Sequence, residues 1–77
     1  MPAANRNPAP SQPYRVFYEH YQPDGVTVAG RGSLVVHYVS GFIGPAVYVQ
    51  AEAHKKLTDQ QAAGEINNFK IVRTRTI

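Results

Sequence analysis

Cysteine and tryptophan are both absent from this 77-residue chain, methionine occurs once, and there are only five acidic residues. Without thiols no disulfide can brace the fold, and the cysteine-based structural zinc sites are excluded. The missing cysteines say nothing about compartment, because cytosolic proteins commonly lack disulfides. No apolar run approaches the roughly 18 residues that a membrane span needs. The opening Met1-Pro2-Ala3-Ala4-Asn5-Arg6-Asn7-Pro8 contains no apolar signal-peptide core. The expectation is a chain without a membrane partner, located in the cytoplasm.

Reactive side chains are scarce too. A paired-carboxylate mechanism needs two of Glu19, Asp24, Glu52, Asp59 and Glu65 to converge, and the first two flank a turn where polar residues are expected anyway. Ser33 and Ser40 lie outside any G-x-S-x-G elbow. His20, His37 and His54 are 17 residues apart, which is not a metal-ligand spacing. Gly30-Arg31-Gly32 lacks the third glycine and following helix of a dinucleotide fingerprint. Gly41-Phe42-Ile43-Gly44 has the spacing of a KH-type backbone clamp but no basic residue inside it, and reads as a plain loop. The sequence therefore predicts a non-enzymatic protein with no cofactor and no metal.

What is present reads as one small domain. Residues 1–13 hold Pro2, Pro8, Pro10 and Pro13 among small polar residues and are expected to form a disordered tail. Residues 14–77 are the domain, short enough to have a small core and little stability to spare. Tyr14-Arg15-Val16-Phe17-Tyr18-Glu19-His20-Tyr21 is aromatic and β-branched and predicts a strand. Gln22-Pro23-Asp24-Gly25 predicts a type I turn, with Pro23 and Asp24 central. A second strand runs from Val26 to Ser40, with a bulge expected around Gly30 and Gly32. Pairing Tyr21 with Val26 sets Tyr18 opposite Ala29, Phe17 opposite Gly30 and Arg15 opposite Gly32, so that an aromatic covers bare backbone. In that register residues 34–39 overhang strand one, and the β-branched C-terminal run from Phe69 to Ile77 is the candidate to cover them.

The stretch between has two readings. Pro45 can open a helix that Gly64 closes, with Val49, Ala53 and Leu57 four residues apart on one face. Alternatively 47–53 is a strand and Thr58-Asp59-Gln60-Gln61 caps a short helix. Composition favours the single helix. The fold expectation is α+β: a long N-terminal β-hairpin, one helix on a three-stranded antiparallel sheet (four-stranded if 47–53 were a strand), and a C-terminal strand.

Charge and aromatics nominate a surface. The net charge is +3, and the last nine residues carry Lys70, Arg73 and Arg75 with no acid. A basic strand can face phosphate, or it can guard a sheet edge, and edge protection is the commoner use. Tyr14, Tyr18, Tyr21, Tyr38 and Tyr48 are the one conspicuous enrichment. Tyrosine with arginine anchors protein interfaces, and the same mixture stacks and neutralises single-stranded nucleic acid. The candidate partner-binding residues are Tyr14, Arg15, Tyr18, Tyr21, Arg31, Lys70, Arg73 and Arg75.

Tyr14-Arg15-Val16-Phe17-Tyr18, then Gly30-Arg31-Gly32, then Ile66-Asn67-Asn68-Phe69 together resemble the short accessory proteins of ββαβ type encoded by bacteriophages and prophages. The resemblance covers most of 14–77, although 41–56 is longer than that pattern. It implies a protein of the host-cell cytoplasm that occupies a surface of a host protein and inhibits or modulates it by steric occlusion. A host protein is thus the first expected partner. Nucleic acid on a basic sheet face with tyrosine stacking is the alternative, and a homodimer through a sheet edge is compatible with either.

Overall fold

The computed structural model describes residues 11–39, 41 and 43–77. Four elements follow one another: β1 (Ser11–Tyr21), β2 (Val28–Val39), α1 (Pro45–Ala62) and β3 (Asn68–Thr76). The strands form one antiparallel sheet in the order β2-β1-β3, and α1 lies across one face of it. This is the expected α+β arrangement, with three strands and an unbroken helix.

The helix forms where its punctuation says it should. Gly44 is the N-cap and Pro45 occupies the first turn, where a missing N–H costs nothing. At the other end the Gly64 N–H bonds Gln61 O at 3.1 Å and the Glu65 N–H bonds Gln60 O at 2.9 Å. That pair of bonds is a Schellman closure, and it needs the left-handed backbone that Gly64 adopts at φ 81°. Val49, Ala53 and Leu57 are fully buried along the inner face. Val49 and Ala53 pack with Val16 and Val36 of the sheet, and Ile66 is buried after the helix. The six buried apolar side chains among the described residues make a small core, so each carries a large share of the stability.

The hairpin departs from the sequence expectation in register. The Gln22–Gly25 turn closes as foreseen, by a Gly25 N–H bond to Gln22 O at 2.8 Å. The loop then continues to Thr27, because the Asp24 carboxylate accepts bonds from the Val26 N–H (2.8 Å), the Thr27 N–H (2.9 Å) and the Thr27 hydroxyl (2.7 Å). Tyr21 therefore pairs with Val28 rather than Val26. Tyr18 falls opposite Gly32 and His20 opposite Gly30, while Phe17 faces Ser33 and Arg15 faces Val35. The expected cover of glycine by aromatics is real, but its partners are Tyr18 and His20. A Cβ on Gly32 would lie 2.7 Å from the Tyr18 hydroxyl, and one on Gly30 would lie 2.6 Å from His20 Nε2. The bulge falls at Ala29, between the His20–Gly30 and Tyr21–Val28 pairs.

Strand one also starts earlier than expected. Residues 11–13 belong to β1 instead of the tail, and residues 1–10 of that expected tail lie outside the described residues. Ser11, Gln12 and Pro13 pair with Val39, Tyr38 and His37, so β2 has no overhang to cover. Pro13 is tolerated because the β3 ladder begins only at Tyr14, opposite Thr76. Beyond that point the Pro13 carbonyl accepts the Ile77 N–H at 3.1 Å. With β2 satisfied, β3 adds to the other side of β1.

Candidate binding face

Side chains alternate across the sheet, and the register sorts them into two sets. Tyr14, Val16, Tyr18 and His20 of β1 share the helix side with Leu34, Val36 and Tyr38 of β2 and with Phe69, Ile71 and Thr74 of β3. On that side Tyr38 stands edge-on to Tyr14 at 6.4 Å and to Tyr48 at 5.7 Å between ring centroids. Its hydroxyl bonds the Ile43 carbonyl at 2.8 Å and ties the β2–α1 connection down. His54 of the helix stacks edge-on against Phe69 at 5.2 Å. Four of the five tyrosines thus serve the covered side, either in the core or over glycine.

Over the opposite face lies no helix of the described residues. Arg15, Phe17, Glu19 and Tyr21 run down its centre on β1. Arg31, Ser33, Val35 and His37 flank them on β2, and Lys70, Arg73 and Arg75 flank them on β3. A bulge in β3 opposite the Phe17–Tyr18 step adds Val72, which lines the same groove as Arg73. Five of the chain's eight Lys and Arg residues stand here with one of its five acids.

The one acid is engaged. Arg31 Nε donates to Glu19 Oε2 at 3.0 Å, and the Tyr21 hydroxyl donates to Glu19 Oε1 at 3.1 Å. The Arg31 bond first and the Tyr21 bond second hold the Glu19 carboxyl below its ordinary value. Desolvation, then the bond to the Glu19 anion, pushes the Tyr21 phenol up. Among the described residues Arg31 alone has a carboxylate partner on this face. Arg15 reaches only the Ser33 hydroxyl, at 3.3 Å, and Arg73 lies over the Phe17 ring at 4.8 Å from its centroid.

Phe17 separates two shallow grooves. One of about 310 Å³ is lined by Phe17, Tyr18, Glu19, Arg31, Val72 and Arg73, together with Gly32. The other, about 290 Å³, is lined by Phe17, Arg15, Arg75, Thr76 and Ile77. An aromatic ring thus stands between two pairs of arginines at the middle of an uncovered sheet.

Of the eight residues nominated from sequence, Arg15, Tyr21, Arg31, Lys70, Arg73 and Arg75 meet on the open face. Tyr14 and Tyr18 lie on the covered side. Phe17 is the residue that sequence reasoning missed; its signal was the odd-numbered alternation Arg15, Phe17, Glu19, Tyr21, which puts it beside the cations. No family model matches the sequence, and neither a curated protein nor a solved structure matches it.

Proposed function

We propose that this is a non-enzymatic binding module whose open sheet face engages single-stranded nucleic acid. The observation that carries the reading is the sorting of charge: five cations and a central phenylalanine on one face, against a single acid already bonded to Arg31 and Tyr21. Cations spaced along strands neutralise phosphates, and a half-buried aromatic among them offers a base somewhere to stack. Arg73 already occupies the stacking position on Phe17, so an arriving base either displaces it or stacks on its guanidinium. Duplex DNA fits less well. Its major groove, about 12 Å wide, admits a helix or a two-stranded ribbon, whereas this face spans three strands.

A second reading has its own observation. Val35, Val39, Val72 and Ile77 are exposed beside the cations, and apolar side chains next to Tyr21 and arginines also suit a host protein occluded by this face. Either reading is compatible with a phage-type accessory role in the cytoplasm. The two separate on titration of a labelled oligothymidylate, followed by fluorescence anisotropy at low salt. The nucleic-acid reading expects saturable binding that Phe17→Ala weakens by about 1–3 kcal/mol for the lost stack. It also expects Arg15→Ser with Arg75→Ser to weaken binding further. Absence of binding, or binding indifferent to all three substitutions, would favour the protein partner.

A further inference from the structure

The two free edges of the sheet are built differently, and the difference identifies an interaction surface. The β3 edge carries Lys70, Arg73 and Arg75 and is interrupted by the bulge at Val72. Such charges and bulges are how an edge strand avoids pairing with other chains. The β2 edge has its own bulge and its single arginine at the hairpin end, at Ala29 and Arg31. From 33 to 39 it reads Ser-Leu-Val-Val-His-Tyr-Val, with no lysine, arginine, acid, proline or bulge. No strand of the described residues pairs with its outer side.

Apolar surface collects around this stretch. Val35 is 37% exposed and Val39 47%. At the end of the strand Val39, Gly41, Ile43 and Tyr48 line an apolar groove of about 230 Å³, with Ile43 51% exposed.

We propose that the 33–39 edge of β2 pairs with the same segment of a second copy, antiparallel about a two-fold axis, to make a six-stranded sheet. An antiparallel two-fold sets the stretch against its own reverse. Because the segment contains no lysine, arginine or acid, no register within it sets two such charges opposite each other. The β3 edge, by contrast, would bring its three cations against three more. At about 3.4 Å per residue the paired segment is roughly 24 Å long, a short contact, so the dimer exchanges with monomer. The pairing also joins the two open faces into one platform. It stands independently of what that platform binds.

Sedimentation equilibrium of the full chain, from micromolar to millimolar concentration, tests this. The weight-average mass is expected to rise from 8.5 kDa towards twice that value and to stop there. Val35→Lys, an exposed substitution on the pairing edge, is expected to raise the dissociation constant about tenfold or more by setting two ammonium groups close across the axis. Val72→Lys on the β3 edge serves as control and should leave it unchanged. If circular dichroism shows Val35→Lys unfolded, His37→Lys takes its place, an exposed position equally near the two-fold axis. A mass fixed at 8.5 kDa up to millimolar concentration overturns the proposal. So does growth beyond the dimer, or a dimer that Val72→Lys weakens and the β2-edge lysine does not.

Discussion

The two faces of this sheet alternate along the same three strands, yet they carry opposite chemistry. On the covered side the strands carry valines, a leucine, an isoleucine, three tyrosines and glycines under aromatic rings, with no lysine, arginine or acid. On the open side are five cations, one carboxylate, Phe17 and a scatter of exposed valines. The covered side holds the chain together, and its tyrosines are spent on packing and on shielding glycine backbone. The open side contributes little to stability and so is where binding can be placed. An aromatic count taken over the whole sequence mixes the two; only the register separates Tyr14 and Tyr18 from Phe17 and Tyr21.

Substitutions on the two sides should therefore behave differently. Leu57→Ala empties a fully buried site and should cost about 2–5 kcal/mol, enough to unfold much of so small a domain in a urea titration. Arg75→Ser on the open face should stay within about 0.5 kcal/mol of the parent in the same assay. Equal losses would break the division of labour. Gly32→Ala forces a Cβ against the Tyr18 ring end and should cost about 1–3 kcal/mol. The cost should shrink in a Tyr18→Ala background, which thermal melts of the four-member cycle would reveal.

Smaller effects sharpen the contrast. The Thr74 hydroxyl is buried on the covered side and has no hydrogen-bond partner among the described residues. Thr74→Val should raise stability by about 1 kcal/mol, and a loss on denaturant titration would mean that the hydroxyl has a partner after all. The loop should weaken as acid protonates Asp24. Bonds from Thr27 and Val26 hold the Asp24 carboxyl below its ordinary 3.8. Its contribution is complete above that pH and is lost as pH falls through the lower folded value. Asp24→Asn should flatten the acid limb of stability against pH, most clearly below pH 3.8, and an unchanged limb would exclude Asp24 as its source.

Much of this architecture was legible locally. Pro45, Gly64 and the Val49–Ala53–Leu57 spacing define the helix, and Pro23-Asp24-Gly25 defines the turn, because caps and turns depend on adjacent residues. Register was not legible, since it depends on Asp24 gathering Val26 and Thr27 into a longer loop. Strand order was hidden by Pro13, which argues against a central strand until the β3 ladder is seen to start after it. The open face was hidden because both sides of β1 carry aromatics, and which side the helix covers is decided by residues far along the chain.

If the open face binds single-stranded nucleic acid through its cations, the affinity for oligothymidylate must fall with salt. Single strands lose about 0.7 log units of affinity per log unit of salt for each phosphate neutralised. Arg15, Lys70, Arg73 and Arg75, the four open-face cations without a carboxylate partner among the described residues, predict a slope of roughly −3. A slope near zero, or no binding even at the lowest salt, would contradict the account.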